Sequence, residues 1–270
     1  ILAEGKADIT VISGELGKTS VSHNVKAAGE SVVSLKEIKV NGCASKSHYG
    51  VIAEGGSINL TDVTITDIAG TNAIHVNNSS SEIKGKNITI TNSNNAVYSS
   101  DGKVTIENLM TDSIRNNNVL VTNKGHVTVK NSDVSISSGH NMKAEGGLII
   151  LNNVIVRGVT DAGKHVLMAE GGSFDLEKVE ITDAKNAAIR INKGSSDRRF
   201  NDVWNEREQS PRRGLMPNQR YRWRAWKDIR RAQCESNSNS GTFPDRYKDK
   251  GNKQWFSSCG DGGRRRFRFK

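Results

Sequence analysis

Few residues in this 270-residue chain have both the type and the spacing that chemistry needs. His140 and His165 fall at the same place in consecutive repeats, which would set them about 5 Å apart. Imidazoles that close can share a metal ion or act as a proton-sensitive pair. No third ligand follows, because the matching positions hold Asn118 and Ala187, so both histidines are expected to be solvated turn residues. Asp67 and Asp183 also occupy like positions after a strand. Several repeats lie between them, with Asn92, Ser137 and Gly158 at the same place. Paired acids must lie within about 10 Å to act on one glycosidic bond, so these two are not expected to cooperate. GELGKTS at 14–20 ends as a phosphate-binding loop does, yet Ile12 stands where the first glycine belongs and no helix follows; it reads as a turn. The chain contains no HExxH or GxSxG motif and no calcium-loop nonapeptide. Cys43, Cys234 and Cys259 are odd in number and far apart, which argues against a disulfide framework and a cysteine zinc site. No catalytic, cofactor-binding or metal-binding residue is assigned, and no cofactor is expected.

The elements that would position such residues are set by composition and repetition. Aromatic residues make up only 5% of the chain, and Ser, Thr, Asn, Asp and Gly dominate the polar set, favouring turns over helices. The formal charge of +10 is uneven. Residues 197–270 hold 20 of the 39 Lys+Arg but only 9 of the 29 Asp+Glu, so the first 196 residues are close to neutral. No apolar run reaches the roughly 18 residues of a membrane-spanning helix. The chain opens on Ile1 with no charged segment ahead of an apolar one. No signal peptide is therefore visible, and a mature segment or a fragment is expected.

A degenerate repeat covers residues 1 to about 196. Each copy carries apolar residues at positions 0, 2, 5 and 7, as in Ile58, Leu60, Val63 and Ile65 of SINLTDVTIT. Copies are expected to start at Ala7, Val33, Ile58, Ile83, Val104, Val127, Ile149 and Phe174, with one inserted residue in the copy at Val127. A third apolar pair follows in each: Val25/Ala27, Val51/Ala53, Ile74/Val76, Val97/Ser99, Leu120/Thr122, Met142/Ala144, Leu167/Ala169 and Ile189/Ile191. Period-two alternation puts Ile58 and Leu60 on one strand face, and the step of three to Val63 requires a bend. One such coil cannot bury its apolar face alone, whereas eight stacked coils can. The expectation is all-β: a right-handed parallel β-helix of about eight three-strand coils, roughly 38 Å long. The bend residues, Glu37, Asp62, Asn87, Asn108, Asp133, Asn153 and Lys178, predict a structural Asn/Asp ladder.

Near residue 197 the sequence changes character. All four Trp, all three Pro and 15 of the 18 Arg lie beyond it, while Val and Ile survive only as Val203 and Ile229. One reading is a basic surface-binding helix over 217–233, in which Tyr221, Ala225, Ile229 and Ala232 recur among arginines and could meet anionic surfaces. The favoured reading is a poorly ordered tail, 197–270, produced by a shifted reading frame or otherwise degenerate.

The coils GGSINLTDVTITD and GGSFDLEKVEITD, with the third strands NAIHV, NAVYS and AAIRI, resemble passenger domains of bacterial autotransporters, within the broad pectin-lyase-like β-helix group. In that family a signal peptide lies upstream and a membrane barrel downstream. The resemblance implies display on the outer membrane or release from the cell. It also implies adhesion or another host interaction, with host or neighbouring-cell proteins or glycans as partners and no catalytic residue carried over. A non-enzymatic surface or secreted protein is therefore expected. The alternative is a polysaccharide lyase or glycoside hydrolase working in a groove along one sheet.

Overall fold

The computed structural model describes residues 1–19, 22–42, 48–68, 70–192 and, as backbone, 196–206. Eighteen strands form two parallel sheets of nine, the long strands in one and the short strands in the other. In the middle of the stack the long strands are Ser57–Thr66, Glu82–Thr91 and Lys103–Asp112, and the short ones Asn72–Asn77, Asn95–Ser99 and Val119–Thr122. Long and short strands alternate along the chain, and each pairs with its counterpart one coil away. The result is a right-handed parallel β-helix of about eight turns, with no α-helix among the described residues.

The expected first and second strands of each coil run on as one bent strand. A single residue at position 4 takes positive φ in every coil: Ser13, Glu37, Asp62, Asn87, Asn108, Asn131, Asn153 and Lys178, all between 49° and 60°. One left-handed residue inverts the alternation, so positions 5 and 7 return to the face that positions 0 and 2 occupy. All four apolar side chains then point inward, and Ile58, Leu60, Val63 and Ile65 are each buried to 1% exposure or less. The expected ladder is present in two runs. Asn87 donates to Asp62 (2.7 Å) and Asn108 to Asn87 (2.8 Å); higher up, Asn131 donates to Glu107 (3.1 Å) and Asn153 to Asn131 (3.0 Å).

Three registers differ from expectation. Ile9, not Ala7, pairs with Val33 and opens the first copy. The copy at Val127 has no insertion: Ser132 pairs with Val154 and takes the inward position, and Asn131 rather than Asp133 is the bend residue. Ser132 fits there because its hydroxyl accepts from the Leu109 N–H (2.8 Å) and donates to the Lys130 carbonyl (2.6 Å), so no polar group is orphaned. The third strand of the fifth expected copy, Val119–Thr122, is shifted by one, Val119 pairing with Val97 and Met142, which turns Leu120 outward.

Parallel pairing continues past residue 196. Strand Ser196–Glu206 lies on Ser173–Thr182, with a register shift between Phe174 and Asp175. Residues 207–270, including the helix expected over 217–233, Cys234 and Cys259, lie outside the described residues, as does Cys43.

Candidate binding face on the short-strand sheet

Each short strand turns alternate side chains outward, and its approach is fixed by the two residues before it. The second of these is asparagine in three coils, where its buried amide holds the turn. Asn24 donates to the carbonyls of Gly17 (3.0 Å) and Asn41 (3.1 Å), Asn118 to Ser135 (2.7 Å), and Asn141 to Ser135 (2.8 Å) and Gly158 (3.2 Å). The bonds these amides donate fix the strand's position, although Asn118 Oδ1 is left buried without a partner.

The first of the two residues forms a column up the molecule: His23, Tyr49, Asn72, Asn95, Asn117, His140, His165 and Ala187. Planar polar groups stack on one another along it. The His23 and Tyr49 rings are parallel (5.1 Å, 2°), Asn95 donates to Asn72 (2.8 Å), Asn117 donates to Asn95 (3.1 Å), and the His140 and His165 rings stack (5.6 Å, 21°). One bond recurs in all three segments: the side chain of one coil accepts from the backbone N–H of the next. His23 Nδ1 accepts from Tyr49, Asn95 Oδ1 from Asn117, and His140 Nδ1 from His165, each at 3.0 Å. Histidine and asparagine are interchangeable here because each offers an acceptor at the same reach, provided the imidazole is neutral.

The histidine pair read from the sequence is thus real as a contact, but the two are not freely solvated turn residues: His140 is half-buried and His165 buried. His165 is 4% exposed, and its true equivalents are Asn117 and Ala187. Burial lowers the pKa of both, helped for His140 by Lys164 and for His165 by Arg190, against hydrogen bonds that raise them. Arg190 Nη1 lies 3.2 Å from His165 Nε2; since a guanidinium only donates, His165 accepts there and carries its proton on Nδ1, facing the Ala187 carbonyl (3.3 Å).

Outside the column, the short strands add a second row. His75 lies between Tyr49 (4.1 Å, edge-on) and Tyr98 (4.8 Å), and Tyr98 shares a hydrogen bond with Thr122 (3.0 Å). Burial holds His75 at about 4, only partly opposed by Glu54. Further up, Lys143 bonds Glu145 and Glu170 (2.9 Å to the latter), while at the lower end Lys26 pairs with Glu54 (2.6 Å). This face therefore carries most of its rings on the lower coils and charged pairs at both ends of the stack. Sequence reasoning found its His140–His165 end and missed the rest. The signal was there in residues of unlike type, His, Tyr and Asn, recurring two places before each short strand.

Asp67 and Asp183 share position 9 of their coils, both at positive φ, but five coils separate them, about 24 Å. Asp67 accepts from Asn92 and Asp183 from Thr182 (3.0 Å), so neither faces the other. The intervening equivalents include Ser113 and Ile136, and Ser137 sits one place further on, bridging Ile114 and Val159. A shallow groove of about 320 Å³ opens on this flank among Asn92, Arg115, Ile136 and Thr160. GELGKTS begins inside the strand Asp8–Leu16, which excludes a phosphate loop ahead of a helix; Ser20 lies outside the described residues. Among the described residues no group of three His, Cys, Asp or Glu is arranged to hold a metal. The chain matches no protein-family model, and no curated protein matches it significantly, so what it is similar to is given by its fold alone, a parallel β-helix.

Proposed function

We propose that the chain is a non-enzymatic binding scaffold of the bacterial surface or secreted space, an autotransporter-passenger-like β-helix acting in adhesion or host interaction. The observation that carries this reading is the short-strand face. The half-buried rings of Tyr49 and Tyr98 and the charged pairs Lys26–Glu54 and Lys143–Glu170 reach solvent along it, held in place by the buried amides beneath, and form an extended surface suited to an extended protein or glycan partner. Binding spread over many coils should weaken in steps. Purified, labelled chain carrying Tyr98→Ala, Lys143→Ala or both should bind cultured cells or neighbouring bacteria progressively less well, with the double variant weakest. Abolition of binding by one Asp→Asn change elsewhere would contradict it.

A second reading, a polysaccharide lyase or glycoside hydrolase, has one observation in its favour: the groove beside Arg115, whose guanidinium bonds Asn92 (2.9 Å), itself bonded to Asp67. Release of reducing or unsaturated sugar from polygalacturonate, lost on Arg115→Ala, would replace the binding reading with this one.

A further inference from the structure

The upper end of the face gathers cations around a neutral imidazole. Lys143, Lys164 and Arg190 surround His140 and His165, and the two acids present, Glu145 and Glu170, are both held by Lys143. Among the described residues no carboxylate pairs with Arg190 or Lys164, and Arg190 is exposed, its Nε bonded to Asn192 (3.1 Å). The contact between Arg190 Nη1 and His165 Nε2 at 3.2 Å exists only while Nε2 is a bare acceptor.

We propose that His165 and Arg190 form a proton-gated oxyanion site, closed by their mutual hydrogen bond and opened when His165 takes up a proton at Nε2. After protonation two donors confront each other across the same gap. The arrangement is unfavourable unless an acceptor enters between them, and a sulfate, phosphate or carboxylate oxygen can accept from both. Lys164 adds to the attraction, and Glu170, which faces both His140 and Arg190 but is bonded to Lys143, opposes it. The stacked His140 has its own Nδ1 committed to the His165 N–H, so His165, whose Nε2 meets the exposed Arg190, is the gating ring. The proton enters from solvent and leaves with the anion. By linkage, anion binding raises the His165 pKa by as much as protonation tightens the anion. This site uses only the sixth to eighth coils and does not depend on the adhesion reading, since anion titration reads it without any cell.

Sulfate is the probe of choice because its charge stays constant between about pH 5 and 7.5, so any pH dependence belongs to the protein. Calorimetric titration of the whole chain should give roughly tenfold tighter sulfate binding at about pH 5 than at about pH 7.5, with up to about half a proton taken up per anion between those values when buffers of different ionisation enthalpy are compared. His165→Asn should bind weakly and without pH dependence; exposed Arg190→Gln, which leaves the coil intact, should lose binding at both pH values. Glucose 6-sulfate in a parallel titration separates the sources: tighter binding than inorganic sulfate assigns a sugar-borne group, equal binding the bare anion. Affinity independent of pH, or Arg190→Gln binding like the parent chain, overturns the proposal.

Discussion

A buried histidine on this face makes the fold acid-sensitive, and His75 is the clearest case. It is 6% exposed between two tyrosines, its Nδ1 has no partner, and its pKa in the folded chain is about 4 against 6.5 in the unfolded one. Because the folded value is the lower, the unfolded chain binds the proton first. The stabilisation is complete above about pH 6.5, declines as pH falls, and is gone near pH 4, roughly 3 kcal/mol in all. Thermal unfolding followed across that range should show the steepest loss of stability there, and His75→Phe should flatten it while keeping the ring stack; an unchanged slope would place the acid sensitivity elsewhere. The column before the short strands gives a sharper residue-scale test. His140→Asn should be tolerated, because Asn95 makes the same bond to the next coil's N–H, whereas His140→Leu orphans the His165 N–H and should cost about 1–3 kcal/mol in denaturant unfolding.

At the scale of the strand and its turn, the repeated AEGG has a two-part cause. The first glycine, Gly55, Gly146 or Gly171, has φ between +83° and +99°, which L side chains rarely adopt. The second sits against the coil below: a Cβ on Gly147 would lie 2.4 Å from the Gly125 carbonyl oxygen and 2.2 Å from Val121. Gly147→Ala should therefore destabilise the chain, by more than about 1 kcal/mol in denaturant unfolding, even though alanine is small. The inward columns obey packing in the same way. Phe174, fully buried above Ile149, should cost about 3–5 kcal/mol when cut to alanine. These elements were readable because positions 0, 2, 5 and 7 must all face one interior and nothing but apolar side chains suits most of them. The register failed where that rule was met by other means. Ser132 buries a hydroxyl by bonding it to backbone on both sides, and Gly14 holds an inward position with no side chain, so apolar counting slipped to Ala7 and invented an insertion. The binding face was harder to read, because its column tolerates any planar group with an acceptor and so shows no single residue type.

At the scale of the whole molecule, a stack of parallel coils is limited by its ends. Every internal strand is paired on both sides, so the terminal long strand must be covered or it offers a row of free N–H and C=O groups to other chains. The sequence changes character at 197, yet the backbone continues the stack to Glu206, with Phe200, Asn201 and Val203 in register on Leu176, Glu177 and Val179. What distinguishes this strand is its composition, Asp197 in register with Phe174 and Asn205 with Ile181, which suits an edge facing solvent more than a strand expecting another above it. The stack therefore runs past the change in composition, at least to Glu206. Two truncations test what this last strand contributes. A chain ending at Glu206 should keep the unfolding midpoint of the full chain and stay monodisperse in light scattering. One ending at Asn192 uncovers the whole of Ser173–Thr182 and should melt earlier and self-associate as concentration rises. If both truncations behave alike, Ser196–Glu206 contributes nothing as a cap, and the stack closes at its eighth coil.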